Sequence, residues 1–290
     1  MPPLVRWIIL GGLALLAITV IAVVGALHGH STGWLADKRP IADQAAFLEP
    51  HITVTRPEAA TGSDPVMLIF SGCGGVRPHH ADWARIASEE GYIGIVVDSM
   101  TPRGFSREEA QARVCSGTAL WGRERASDVM AMMHYVQTLD GADPARIVLF
   151  GQSHGAWAVM DLMAMDFGRL APTGLWPRPD PAVLAAVKGT ILFYPYCGTF
   201  SLSPDHPWRM QPPTLMVLAE NDTVVSPLAC REVATRMESD GVPIVVDSYS
   251  DAGHSFDEFS LPENHPLKYH PGRASDAKIR VRRFLRLVKE

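Results

Sequence analysis

The strongest chemical signal in the sequence is a serine between two glycines in residues 151–155 (GQSHG). The motif follows an apolar run at residues 146–150, which is typical of a strand, and precedes a helical pattern that begins at Ala156. Glycines in this position let a strand turn sharply into a helix, so that Ser153 stands out at the turn. This nucleophile elbow predicts covalent catalysis by Ser153. The alternative is an ordinary serine in a glycine-rich turn.

A serine hydroxyl needs a base to remove its proton, and the base needs an acid to orient it. In folds with such an elbow, the acid and then the base follow the serine along the chain. His254 comes directly after the last apolar run and next to a glycine, so we predict that it is the base. Asp222 follows the preceding apolar run and is the leading acid. Glu220 and Asp251 are the competing carboxylates.

Two backbone N–H groups are candidates for an oxyanion hole. His154 begins the helix after the elbow, where amide groups and the positive end of the helix dipole stabilise negative charge. Cys73 lies in the glycine-rich segment 71–75 (SGCGG) after another predicted strand. A nucleophilic Cys73 is the rival interpretation, although no base is predicted beside it. The His79–His80 pair has no further ligand at metal-site spacing, which favours a loop and helix start over a metal site.

Strands and helices that position these residues alternate along the chain. Apolar runs predict strands at residues 52–56, 66–70, 92–98, 146–150, 190–194, 214–219 and 244–249, and helical spacing predicts helices at 80–90, 123–139, 156–167, 227–240 and 274–288. This alternation predicts an α/β fold with a mostly parallel, twisted sheet of about seven to eight strands and helices on both faces. The first strand alternates more, which favours an antiparallel edge position.

The N-terminal segment differs from the rest. Residues 7–27 carry no charge and follow Arg6, and about twenty helical residues span the hydrocarbon core of a bilayer. We therefore expect residues 1–30 to be a membrane anchor, 31–50 a tether without a core, and 51–290 the catalytic domain. A small-residue pattern at residues 24–26 leaves a cleaved signal segment and a secreted protein as the alternative. Positive charges tend to stay on the cytoplasmic side of a membrane, so Arg6 favours a cytoplasmic amino terminus. Lys38 and Arg39, just beyond the other end of the helix, favour the opposite orientation.

Charge and cysteine content limit the partners and the compartment. The formal net charge of -5 comes from interspersed residues, without a basic cluster that would bind nucleic acid. The four cysteines form an even set without a CxxC pair, as expected of a disulfide-bonded exported domain. Of three possible connectivities we favour Cys73–Cys115 with Cys197–Cys230, because each pair falls on loops at the same end of neighbouring strands. Four buried free thiols are the alternative.

Over residues 50–288 the sequence resembles the dienelactone hydrolase family of α/β-hydrolases. The resemblance is carried by residues 72–75 (GCGG), 98–104 (DSMTPRG), 151–155 (GQSHG), 221–222 (ND) and 253–254 (GH). It implies an esterase or lactonase that needs no cofactor and works through an acyl-enzyme intermediate. Founding members have a cysteine at the elbow whereas this chain has Ser153, so the resemblance implies the scaffold rather than the dienelactone substrate.

We therefore predict hydrolysis of a small-molecule ester, lactone or related acyl bond by a membrane-attached, extracytoplasmic enzyme. Two long connections, residues 99–122 and 197–213, follow strand ends and are expected to shape the pocket. Arg103, Trp121 and Tyr196 within or beside them are weak candidates for contacts with substrate, since residues of this kind are more often ordinary loop residues. A serine peptidase, an acyltransferase and a non-catalytic membrane-proximal binding protein are the remaining alternatives.

Overall fold

The computed structural model describes residues 2–289. Its strands are β1 Ile52–Thr55, β2 Asp64–Phe70, β3 Ile93–Val97, β4 Ala142–Gln152, β5 Val187–Phe193, β6 Thr214–Ala219 and β7 Ile244–Tyr249. Its α-helices are α1 Pro3–Thr32, α2 Ile41–Leu48, α3 Pro78–Glu89, α4 Arg107–Arg113, α5 Gly122–Val136, α6 His154–Ala164, α7 Pro227–Ser239 and α8 Pro271–Lys289. Every predicted strand and helix is present, and α2 and α4 are additional.

All seven strands form one sheet in the order β1-β3-β2-β4-β5-β6-β7. β1 pairs antiparallel with β3, and every other pairing is parallel. The prediction of a mostly parallel sheet with an antiparallel first strand is therefore confirmed. The strands β2 and β3 are buried along their whole length, which is why residues 66–70 and 93–97 carry no polar side chain, whereas β1 is only partly buried and its Thr53 is exposed.

Helices cover both faces of the sheet. Successive residues of β2 point to opposite sides, so Leu68 packs in one core cluster with side chains of α5 and α6. Ile69 points the other way, into a second cluster with side chains of α3 and α8. The protein therefore has three layers. The carboxyl ends of the parallel strands meet at one edge, where the loops that follow β2, β4, β6 and β7 come together.

Part of the expected tether belongs to the catalytic domain. Residues 41–48 form α2, in which Ala45 and Leu48 are buried and Leu48 joins the core cluster beside α5. Gln44 is also buried, and its Nε2 donates to Asp128 Oδ1 of α5 at 2.6 Å. The prediction of a tether without a core is therefore wrong for these eight residues. The helix is amphipathic, and Ile41, Ala45 and Leu48 on one side of it pack against the core of the domain.

α1 stands outside the core, and most of its side chains are exposed. Within it, Val5–Thr32 is long and apolar enough to cross a membrane, a property shared by anchors and signal sequences. At its carboxyl end the ring of His30 stacks on Trp121, with ring centroids 5.0 Å apart. The helix therefore reaches the catalytic domain where α5 begins, at the same sheet edge as the loops after the parallel strands.

Candidate active site

Ser153 occupies a strained turn between β4 and α6, with a φ of 51°. A non-glycine residue with positive φ persists only where the surrounding structure holds it. The flanking glycines explain how the turn fits: a Cβ at Gly155 would lie 2.2 Å from the carbonyl oxygen of Phe70, and one at Gly151 would lie 2.5 Å from Ala156 Cα. The sequence around Ser153 therefore forms the sharp strand-to-helix turn that its motif predicts.

Three of the predicted site residues form one chain of hydrogen bonds. His254 Nε2 lies 2.9 Å from Ser153 Oγ, and His254 Nδ1 lies 2.6 Å from Asp222 Oδ2. The other oxygen of Asp222, Oδ1, accepts from the backbone N–H groups of Val224 and Val225 at 2.8 and 3.0 Å. The carboxylate of Asp222 accepts a hydrogen bond from Nδ1–H of His254, and this leaves Nε2 free to accept from the serine hydroxyl. This arrangement can activate Ser153 as a nucleophile.

The competing carboxylates have other partners. Glu220 forms an ion pair with Arg231, and Asp251 forms one with Arg273 at 2.6 Å. Neither is hydrogen-bonded to His254, whose Nδ1 faces Asp222. The structure therefore brings Asp222, and neither rival, to the histidine.

Two backbone N–H groups beside Ser153 have no acceptor among residues 2–289. That of His154 is the first of α6 and has no partner inside the helix. That of Cys73 lies in the loop after β2, where the Cβ position of Gly72 is 3.5 Å from Ser153 Cβ. Both are close to the serine, as an oxyanion hole requires.

Arg125 of α5 is fully buried and contacts Ser71 in the segment that leads to Cys73, and the side chain of His154. Its guanidinium donates to the carbonyl oxygen of Ser71 at 2.7 Å and to the hydroxyl groups of Ser71 and Ser99, each at 3.3 Å. Burial lowers the pKa of Arg125 to about 10. The guanidinium thus anchors the start of the loop that carries Cys73.

The same guanidinium holds the side chain of His154, whose Nδ1 lies 3.0 Å from Arg125 Nη1. Burial, and then the positive charge of Arg125, hold the pKa of His154 well below its usual range. The ring is therefore neutral and accepts from Arg125 through Nδ1. It packs against Trp157, with centroids 5.1 Å apart, rather than lining the cavity.

Behind the elbow, the buried carboxylate of Asp257 collects three donors. Trp83 Nε1 and Gln152 Nε2 both donate to Oδ2, at 2.8 and 2.6 Å, and the Tyr194 hydroxyl donates to Oδ1 at 2.7 Å. Burial, and next the charge of Asp257, raise the pKa of Tyr194 well above its usual value, so the phenol stays protonated. Asp257 therefore fixes the side chain of Gln152, the residue before the serine.

A cavity of about 270 Å³ opens at Ser153 and His254. Its walls come from the loop after β2, the first turn of α3, α4 and the segment between β7 and α8, with the side chains of Arg107, Gln111, Val224, Glu258, Leu261, His265 and Leu267. Of the two predicted pocket loops, residues 99–122 contribute and residues 197–213 do not. The contribution of residues 255–267 was missed, because this segment has no periodic pattern.

The three candidate substrate contacts lie outside this cavity. Arg103 makes a two-pronged ion pair with the buried carboxylate of Asp128. Trp121 donates from Nε1 to the Gly117 carbonyl at 2.7 Å, and the ring of Tyr196 packs on Trp157. The structure therefore shows these three side chains in contact with other parts of the protein, and their contact with substrate stays a prediction.

Both disulfides are present in the predicted pairing, Cys73–Cys115 and Cys197–Cys230. The first bond ties the loop that follows β2 to the end of α4 across the cavity wall, where Cys115 is exposed. The second lies in the core, with both cysteines buried. One disulfide therefore belongs to the wall of the site and the other to the scaffold around it.

The seven-stranded sheet and the serine at its central elbow are those of the α/β-hydrolase fold. The sequence matches the profile of the dienelactone hydrolase family over residues 52–176 and 180–288. The chain therefore belongs to the dienelactone hydrolase family, and this membership supports a hydrolase activity. A search among curated proteins found no match.

Solved structures with the same fold share little sequence with this chain. A Klebsiella pneumoniae protein assigned as a dienelactone hydrolase superposes with a TM-score of 0.62 at 16% identity, covering 81% of this chain and 91% of its own. Esterase 2 from Thermogutta terrifontis gives 0.57 at 17%, covering 79% and 85%. A dienelactone hydrolase-like promiscuous phosphotriesterase from metagenomic libraries gives 0.60 at 14%, covering 82% and 98%.

Proposed function

We propose that this protein is a serine hydrolase that cleaves a carboxylic ester, lactone or related acyl bond through an acyl-enzyme intermediate. The observation that carries the proposal is the hydrogen-bonded chain from Ser153 through His254 to Asp222, formed at the strained elbow and open to a cavity. A hydroxyl, an imidazole and a carboxylate in this order are the groups that nucleophilic acyl transfer needs.

In the proposed first step, Ser153 Oγ attacks the substrate carbonyl while His254 Nε2 takes the hydroxyl proton. Asp222 holds the ring by its Nδ1–H and stabilises the imidazolium that forms. The negative charge on the carbonyl oxygen is received by the N–H groups of Cys73 and His154, which have no competing acceptor in residues 2–289. Collapse of the tetrahedral intermediate expels the alcohol, which takes its proton from His254.

The acyl-enzyme is then hydrolysed by the same groups in reverse order. His254 removes a proton from water, the hydroxide adds to the acyl carbon, and Ser153 leaves with the proton returned by the histidine. These steps use side-chain and backbone groups of the chain with water as co-substrate. The cavity of about 270 Å³ is at the small end of ligand pockets, which favours short acyl groups or small lactones.

We further propose that α1 attaches the enzyme to a membrane with the catalytic domain on the extracytoplasmic side. The support is a helix of spanning length and the two disulfides, which persist in oxidising compartments. Extraction of the protein from membranes by detergent, and resistance to extraction by high salt, would test the attachment. Release by salt alone would contradict it.

Two assays test the catalytic proposal: labelling of the nucleophile by a fluorophosphonate probe, and hydrolysis of 4-nitrophenyl butyrate. The full-length protein in detergent is expected to be labelled at Ser153 and to hydrolyse the ester. Ser153→Ala is expected to lose both properties. Ser255→Ala is the matched control, because Ser255 also lines the cavity but lies outside the hydrogen-bonded chain. Equal turnover by the wild type and Ser153→Ala would refute the mechanism.

A further inference from the structure

His80 lines the cavity, and its buried side chain carries an unused hydrogen-bond donor. The backbone N–H of Arg77 points at His80 Nδ1 from 2.8 Å, so this nitrogen accepts and the ring proton lies on Nε2. The carbonyl of Arg77 at 2.9 Å from Nδ1 does not change this, because a proton on Nδ1 would face the N–H proton. His80 is 1% exposed, and its Nε2 has no partner in residues 2–289.

Gln152 lines the same cavity, and its buried side chain carries an unused acceptor. Its Nε2 donates to Asp257 Oδ2 at 2.6 Å and to the oxygen of the Tyr194 hydroxyl at 3.1 Å. Because a carboxylate only accepts, the amide cannot be turned over, and Oε1 must be the free end. Gln152 is 1% exposed and lines the cavity, and Oε1 has no partner among the described residues.

Asp257 and Trp83 link the helix that carries His80 to the side chain of Gln152, and both His80 and Gln152 line the cavity. Trp83 lies three residues after His80 on α3, and positions three apart share a helix face. Trp83 donates to the same oxygen of Asp257 as Gln152 does. A buried donor and a buried acceptor that both lack partners destabilise the free protein, and a ligand that pairs with both removes that penalty.

We propose that His80 and Gln152 form a subsite for a hydroxyl group of the substrate. The hydroxyl oxygen accepts from His80 Nε2–H and the hydroxyl proton is donated to Gln152 Oε1. A carboxylate cannot donate to Oε1, and an alkyl group leaves both atoms unpaired. The substrate class is therefore a short ester or lactone that carries a hydroxyl group on its acyl or its alcohol part, an inference that rests on the proposed function.

Matched esters test the subsite in the full-length protein. The pairs are 4-nitrophenyl 3-hydroxybutyrate with 4-nitrophenyl butyrate, and glycerol monobutyrate with propyl butyrate. In at least one pair, kcat/KM is expected to favour the hydroxylated ester by about tenfold or more, because a site built for a hydroxyl rejects the analogue that lacks it. An ether analogue, such as 4-nitrophenyl 3-methoxybutyrate for the first pair, cannot donate to Gln152 and is expected to lose the preference.

Variants assign the preference to the subsite. His80→Phe removes the donor and is expected to bring the ratio of the two kcat/KM values close to one. His265→Phe is the matched control, because His265 lines the same cavity and its Nδ1 already accepts from the Leu267 N–H. This variant is expected to keep the wild-type ratio. If His80→Phe does not fold, the ether comparison on the wild type still decides.

The possible failures are distinguishable. Turnover of all esters with equal kcat/KM within both pairs would overturn the subsite, leave the proposed hydrolase intact and indicate that water alone occupies these groups. A preference that persists in His80→Phe or with the ether would also overturn it. If no ester is hydrolysed, the proposed function fails. Calorimetric titration with 3-hydroxybutyramide and butyramide, and with glycerol and propanol, then tests the subsite by binding alone, and equal affinities within both pairs would end it.

Discussion

Replacing Arg125 with methionine tests how the proposed oxyanion donors are held in place. Arg125 is fully buried and bonds to the carbonyl of Ser71, two residues before Cys73, and to the ring of His154. Methionine fills much of the same space and donates no hydrogen bond. The variant therefore removes these contacts while Ser153, His254 and Asp222 stay unchanged.

Opposing terms make the expected loss of stability small. Leaving the Ser71 carbonyl and His154 Nδ1 unpaired costs about 1–3 kcal/mol for each group. Removing the charge returns part of this, because a pKa lowered from 12.5 to about 10 corresponds to about 3 kcal/mol of burial cost for the guanidinium. The two unpaired groups together cost about 2–6 kcal/mol and loss of the charge returns about 3 kcal/mol, so the free energy of unfolding is expected to fall by at most about 3 kcal/mol. Chemical denaturation measures this change.

The main expected effect of Arg125→Met is a lower kcat. Loss of one oxyanion donor costs roughly a hundredfold to a thousandfold in kcat, so displaced donors are expected to cost about tenfold to a hundredfold. KM for 4-nitrophenyl butyrate is expected to stay within about threefold, because these N–H groups act in the transition state. Arg103→Lys is the control, since Arg103 is also largely buried but bonds to Asp128 instead of the elbow. Its kcat is expected to stay within about threefold of the wild type.

The reasoning fails if Arg125→Met and Arg103→Lys give the same kcat. That result would mean that the backbone of the loop after β2 and the start of α6 hold the donors without Arg125. If kcat and the folded fraction of Arg125→Met fall together, the loss of activity is due to unfolding and not to displaced donors. A denaturation curve at the assay temperature measures the folded fraction.

Three further predictions concern packing, pH and redox state. Gly155→Ala, whose Cβ would meet the Phe70 carbonyl, is expected to lower stability by about 1–3 kcal/mol and abolish fluorophosphonate labelling, whereas Gly74→Ala, in open space, is expected to keep both. Burial raises the pKa of Asp161 from 3.8 to about 7, so wild-type stability should fall relative to Asp161→Asn as pH rises from about 4 to 7, by up to about 4 kcal/mol in pH-dependent denaturation. Below about pH 4 the carboxyl is protonated in both the folded and the unfolded state, and above about pH 7 it is ionised in both, so no such fall is expected outside this range. A dithiol is expected to open the exposed Cys73–Cys115 bond before the buried Cys197–Cys230 bond, as alkylation and mass spectrometry would show; simultaneous opening would contradict this.

Much of the fold could be predicted because most strands have a clear sequence pattern. Buried parallel strands such as β2 and β3 are continuously apolar, and turn residues separate them from helical patterns. α2 was missed because its eight residues form a short pattern next to a proline-containing segment, and the partner of its Gln44 lies 84 positions away. A spacing rule cannot detect a contact of that kind.

The candidate site was likewise predictable where residues follow strands and not where contacts join distant elements. Ser153, Asp222 and His254 each follow a predicted strand, in the order expected for a nucleophile, an acid and a base. The structure brings the three together. Loop side chains are different, because sequence places a residue on a loop without saying where its side chain points. The ion pair of Arg103 was not predicted for this reason, since its partner Asp128 lies on another element. Asp257 and its three donors were missed likewise.

The pairing of the cysteines bears on how the protein matures. Cys73 joins Cys115, and Cys197 joins Cys230, so each cysteine is bonded to its nearest cysteine neighbour along the chain. For a polypeptide that emerges from a translocation pore amino end first, each crosslink can close as soon as its second thiol arrives. If the protein is exported as proposed, the first bond can therefore close before the third cysteine appears, and oxidation in chain order gives the native connectivity without reshuffling of wrong pairs.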